Sequence, residues 1–245
     1  MKKIFVILIF VLSFSTACNS QTNSDNENHS LKGDIDYVYF AVGRSVPMGD
    51  FGSKDMSNRN SGFANAGYKM ELNAGYHLVE NLYANAKCFF SNFNCDASGL
   101  TNFFQKQNPG AVWKSDGMDW KLAGLMVGPA YIFNVSENFT MEAKVLGGIM
   151  QSRSSALALT ASDGSTFKED EKSAYSFVNT ISIGAIYPVR KLFNLSCNVE
   201  YINADPNFEN INTTKKSSKS ISTVNSTINQ HINLLSFNLG VLFIF

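Results

Sequence analysis

From Leu235 to Phe245 every second residue is apolar: Leu235, Phe237, Leu239, Val241, Phe243 and Phe245. Ser236, Asn238 and Gly240 lie between them, followed by Leu242 and Ile244. A period of two marks an extended strand, whose successive side chains point to opposite faces. The pattern recurs along the chain. In Gly67–Leu78, the residues Tyr68, Met70, Leu72, Ala74, Tyr76 and Leu78 oppose Lys69, Glu71, Asn73, Gly75 and His77. Phe193, Leu195, Cys197, Val199 and Tyr201 oppose Asn194, Ser196, Asn198 and Glu200, and Met141, Ala143, Val145, Gly147 and Ile149 oppose Thr140, Glu142, Lys144 and Gly148. Each strand couples an apolar face to a partly charged one. At the edge of a soluble sheet the last segment would invite aggregation. In a closed ring it pairs with the first strand and no edge remains.

Applied to the whole chain, the alternation predicts about eight strands, near 36–44, 67–78, 82–92, 119–133, 139–153, 173–189, 192–204 and 232–245. No stretch carries apolar residues at a convincing 3.6-residue period. The connections sort by length. Residues 79–81, 134–138 and 188–191 read as tight turns, whereas 45–66, 93–118, 154–172 and 205–231 read as long polar loops. Short turns on one side, long loops on the other and an even strand number describe an all-β, antiparallel up-and-down transmembrane β-barrel with both ends in the periplasm. Tyr76, Tyr131, Phe133, Phe139, Tyr187, Phe193, Phe243 and Phe245 gather near the short-turn ends, as an interfacial girdle would. Charged residues are 16%, below the usual quarter or so, and Lys+Arg and Asp+Glu are both 20. That balance provides no drive toward nucleic acid.

Met1-Lys2-Lys3, the apolar run Ile4–Phe14 and the small residues Ser15, Thr16 and Ala17 form a secretory signal over 1–17. Its apolar part is short of the ~20 residues a spanning helix needs. Cleavage after Ala17 satisfies the small-x-small rule. Ser15-Thr16-Ala17-Cys18 also reads as a relaxed lipobox, which makes Cys18 a candidate lipidation site. Residues 18–34 read as a disordered polar tether and 35–245 as the barrel domain. Cys88, Cys95 and Cys197 lack metal-ligand spacing. Cys88 and Cys197 are expected on the lipid-facing wall, with a disulfide from Cys88 or Cys95 to Cys197 as the alternative.

The run Gly43-Arg44-Ser45-Val46-Pro47-Met48-Gly49-Asp50-Phe51, the segment Gly62-Phe63-Ala64 leading to Gly67, the strand Gly124–Tyr131 and the terminal Phe245 carry a resemblance. Over about 35–245 the chain resembles small outer-membrane β-barrels of the OmpA/OmpX-like type, in the "outer membrane protein β-barrel domain" or porin family of the Bacteroidota. The resemblance implies location in the bacterial outer membrane and leaves the activity open.

An eight-stranded barrel has an interior that side chains just fill. Lys69, Glu71, Lys87, Glu142, Lys144 and Glu200 are expected to point inward as a balanced charge network, with Arg44 as a further candidate. The leading expectation is a structural or surface-interaction scaffold with a filled lumen and four extracellular loops. A small passive pore for ions or small solutes is the alternative. A lipid-modifying enzyme is a distant third, and no catalytic activity is expected. Such an enzyme would need a His, a Ser and a carboxylate at the outer rim, and His231, Ser226 and Glu209 are the only set to consider. His29 falls in the tether, and His77 is expected inward near the short-turn end. Lys215, Lys216 and Lys219 read as a solvated loop tip, or as a contact for lipopolysaccharide phosphates. Phe103, Phe104 and Trp113 either anchor an extracellular partner or pack on the barrel rim. Neither a cofactor nor a metal site is expected. Outer-membrane lipids and an extracellular ligand are the expected partners, and the chain is expected to be a monomer.

Overall fold

The computed structural model describes residues 36–55, 57–58, 60–107, 109–116, 119–136, 139–154, 156–190, 193–217 and 220–245. The signal segment, the tether, Cys18 and His29 lie outside them. In chain order the elements are β1 (Tyr37–Met48), α1 (Gly49–Gly52), β2 (Gly67–Val79), β3 (Leu82–Asn94), α2 (Ala97–Gln107), β4 (Trp113–Asp116) and β5 (Asp119–Ser136). They continue with β6 (Phe139–Ser154), β7 (Leu157–Ala161), β8 (Thr166–Glu169), β9 (Lys172–Arg190) and β10 (Phe193–Ala204). Last come β11 (Asn207–Lys216), β12 (Ile221–Asn229) and β13 (Ile232–Ile244).

Eight of these strands close into an antiparallel barrel in the order β1-β13-β10-β9-β6-β5-β3-β2. The first and last strands zip together from Tyr37↔Ile244 to Met48↔Asn233, and Phe245 N donates to Asp36 O at 3.0 Å. This pairing satisfies the backbone groups that an open sheet would leave bare, which a hydrocarbon environment demands. All eight strands of the sequence reading are present, several of them longer than expected. β1 runs on to Met48, and Pro188 belongs to β9 rather than to a turn.

The outward faces carry the apolar alternation. Phe40, Val42, Leu125, Val127, Val145, Ile149, Phe177, Ile181 and Leu239 are all exposed along the wall. Tyr76, Tyr131, Phe139, Tyr187, Phe243 and Phe245 are exposed toward the short-turn end. No helix among the described residues is long and apolar enough to cross a membrane. Cys88 is half-buried, Cys197 is exposed on the wall, and Cys88, Cys95 and Cys197 are all free thiols. Arg44 is exposed on the outer face of β1, so it does not join the lumen charges. The parity of β1 decides this: Tyr37, Tyr39, Ala41 and Ser45 point inward.

The long loops differ from the sequence expectation. They are not merely polar. β4, β7, β8, β11 and β12 form a second sheet in the order β12-β11-β8-β7-β4, and α2 packs beside β4. Together they make a dome over the barrel mouth. Phe51, Phe63, Leu100, Leu157, Leu159, Phe208 and Ile211 are buried in one cluster with the upper barrel residues Phe93, Trp120 and Leu122. Each loop contributes only a few apolar residues, so none can bury a core alone. The core exists only where the loops converge. Asp96 caps α2, accepting from Gly99 N at 3.1 Å and from Ser98 Oγ at 2.6 Å.

Candidate functional site

Two places concentrate polar chemistry: the lumen and the dome. The six charged residues read as inward meet inside the barrel. Lys69 Nζ lies 2.6 Å from Glu71 and 2.7 Å from Glu200. Lys87 pairs with Glu200 and lies 3.5 Å from Glu71, and Lys144 lies 2.7 Å from Glu142. All six side chains are buried. Three cations face three carboxylates, so the network is neutral as a whole. A buried charge is tolerated only when paired and hydrogen-bonded.

Two partners of this network were hidden in the sequence because the facing of β1 is ambiguous there. Tyr37 donates its hydroxyl to Glu142, and Tyr39 donates to Glu71 at 2.5 Å. Asn85 donates to Tyr37 Oη at 3.0 Å, Asn198 donates to Tyr39 Oη, and Asn238 donates to Asn198 at 2.7 Å. Phe89 lies under both cations, 5.6 Å from Lys69 Nζ and 5.9 Å from Lys87 Nζ. Two glycines make room for the rings. A Cβ on Gly75 would come within 2.2 Å of Tyr37 Cε1, and one on Gly124 within 2.4 Å of Phe89 Cε1.

The strand order determines the reach of these contacts. β3 and β10 stand on opposite sides of the eight-strand ring, as do β1 and β6. The Lys87–Glu200 pair therefore crosses the full diameter of the lumen, and so does the Tyr37–Glu142 hydrogen bond.

Nearer the dome the filling becomes apolar. Leu122, Met126, Leu146, Met150 and Val178 point inward from β5, β6 and β9 and are buried. Above them Phe51, brought in by α1, packs edge-on against Phe93 at 5.5 Å and Trp120 at 5.3 Å. Trp120 in turn meets Phe208 from β11 at 5.7 Å and donates its indole N–H to Gly62 O at 2.9 Å. At the short-turn end Tyr37, Tyr83, Ile132, Ile186 and Leu242 form a second buried cluster.

The loop aromatics pack into the dome. Phe104 packs at a tilt against Trp113 at 5.1 Å and Phe167 at 5.2 Å, and Phe103 meets Phe104 edge-on at 5.7 Å. Phe104, Trp113 and Phe167 are half-buried against the main cluster. Lys215, on the exposed tip of β11, places its Nζ 5.6 Å from the Phe167 ring. Burial pushes the Cys95 thiol up to about 12, which leaves it an unreactive thiol, and its Sγ donates to Gly62 O at 3.5 Å.

The histidines have other partners than the sequence reading considered. His77 follows the inward parity of β2 and is half-buried at the short-turn rim, with Nε2 2.9 Å from Glu80 O and its ring edge-on to the interior Tyr83. His231 Nδ1 contacts Asp205 at 2.5 Å. Ser226 sits in β12 opposite Ile211, and Glu209 is exposed on β11. No cluster of three or more metal-binding side chains occurs among the described residues.

No family model matches the chain, and no curated protein matches it. Solved structures do. The Yersinia pestis attachment invasion locus protein Ail, in complex with the heparin analogue sucrose octasulfate, is similar at a TM-score of 0.46 and 12% identity, over 86% of this chain and 98% of that one. Neisserial surface protein A also scores 0.46 at 12% identity, over 87% and 99% of the two chains. A major outer membrane protein from Thermus thermophilus scores 0.49 at 12% identity, over 86% and 99%. At these identities and scores the similarities decide nothing about what the chain binds or does.

Proposed function

We propose that the chain is a sealed outer-membrane barrel, a non-enzymatic scaffold that holds a folded dome outside the cell. The observation that carries this reading is the pair of contacts crossing the lumen, Lys87–Glu200 and Tyr37–Glu142, beneath an aromatic plug built on Phe51 and Trp120. A solute would have to break ion pairs in a low-dielectric interior and then part a close-packed apolar layer. The exposed apolar wall supports a place in the outer membrane, with both ends of the barrel domain at the periplasmic side. It also supports lipids as the wall's partners. The sequence resemblance to OmpA/OmpX-like barrels of the Bacteroidota points the same way.

Osmotic swelling of proteoliposomes tests the seal. Vesicles carrying the folded chain should swell in small sugars no faster than empty vesicles. Swelling that scales with the amount of protein would establish the passive pore instead.

A further inference from the structure

The dome sheet has two edges, and they are built differently. At one edge β4 is four residues long, carries the exposed Lys114, and is flanked by α2, whose Gln105 accepts from Trp113 N at 3.3 Å. Short length, charge and a covering helix are the usual guards of a sheet edge. At the other edge β12 has none of these. It runs nine residues, Ile-Ser-Thr-Val-Asn-Ser-Thr-Ile-Asn, without charge, proline or glycine. Among the described residues it pairs with β11 alone. Ile221 is 69% exposed and Val224 56%. A long, uncharged, β-branched edge is a template for one more strand.

We propose that β12 pairs in antiparallel fashion with β12 of a second copy held in a facing membrane. The inference rests on the scaffold reading above and gives the dome a partner. Three observations select a second copy. First, self-pairing sets every charge of a strand near its own repeat, and β12 has no charge to repel. Second, pairing centred on Asn225 sets Asn225 opposite itself and Thr223 opposite Thr227, both self-compatible polar pairs. Third, the β11–β12 hairpin is polar along its length in the electrostatic sense. Lys215 and Lys216 are at its tip, while Asp205 and Glu209 are at its base. Antiparallel pairing brings the basic tip of one hairpin toward the acidic base of the other.

The proposal sets the second copy in a facing membrane, with each hairpin directed outward from its own rim. β11 leaves the barrel after Ala204 and β12 returns to it at Ile232, so the hairpin is rooted at the rim and Lys216 and Ile221 form its far end. Antiparallel pairing turns the two tips in opposite directions. Two chains in one membrane, both with tips outward, do not meet that requirement; two chains in apposed membranes do.

Clustering of phosphatidylcholine vesicles carrying the folded chain, followed by light scattering, tests this. Wild-type vesicles should cluster at a rate that rises with protein density. Asn225→Lys vesicles alone and Asn225→Glu vesicles alone should each cluster about tenfold more slowly or worse, because like charges then face each other. A mixture of the two should recover. The same two charges placed at Asn102, exposed on α2, should change nothing in either arrangement. A gel-mobility shift on boiling confirms that each variant is a folded barrel. Dispersed wild-type vesicles, unimpaired clustering of Asn225→Lys, or a mixture that fails to recover would each overturn the proposal. The swelling assay on the same vesicles keeps the two readings apart. Dispersed but tight vesicles refute only the pairing, and leaky vesicles refute only the sealed scaffold.

Discussion

Glu200 holds two lysines at once, Lys69 and Lys87, and all three side chains are buried. Glu200→Ala leaves one uncompensated buried cation and should cost about 3–5 kcal/mol of barrel stability. Adding Lys87→Met restores neutrality, since Lys69 keeps Glu71, and should recover most of that loss. Denaturant refolding of the two variants in lipid, compared with wild type, measures both effects. Asp96 is a second test at this scale. Hydrogen bonds from Lys54 and Ser98 hold its carboxyl down at about 2, against an ordinary value near 4. A depressed carboxylate stabilises fully above its unfolded value and loses that contribution as pH falls through its folded one. Amide protection in α2, taken relative to the intrinsic exchange rate at each pH, should therefore fall between about pH 4 and pH 2. Asp96→Asn keeps the capping oxygen but loses the titrating charge, so its protection should change little across that window.

Among the elements, the barrel strands were legible and the dome was not. Tyr68–Leu78 or Leu235–Phe245 announce themselves because every residue obeys one period, and the membrane enforces that period on each strand separately. The dome obeys no such local rule. α2 did carry a signal: Asp96 with Gly99 three residues on, then Leu100, Phe103 and Phe104 at helical spacing. One turn of apolar residues is too short a run to stand out from a polar loop. β7, β8 and β11 were illegible because their buried residues, Leu157, Leu159, Phe208 and Ile211, meet partners from other loops. The lumen divides in the same manner. Its charges were readable as breaks in apolar segments, whereas Leu122, Met126 and Leu146 looked like surplus greasiness on strands already apolar outside. Phe104 tests the dome as an element. It joins α2 to Trp113 and Phe167, so Phe104→Ala should loosen the dome by about 2 kcal/mol, less than the 3–5 of a fully buried ring. Limited proteolysis should then cut within 93–118 and 154–172 while the barrel keeps its shifted gel mobility.

For the whole molecule, the wall and the interior pull in one direction. An apolar outside, a neutral charge network crossing the lumen and an apolar plug beneath the dome all favour the sealed scaffold proposed above. Single-channel recording in a planar bilayer addresses that closure most directly. Wild type should be silent, while a chain with Lys87→Ala, Glu200→Ala and Phe51→Ala together should open intermittently and show that insertion occurred. Steady, reproducible openings from wild type at low voltage would contradict the sealed lumen.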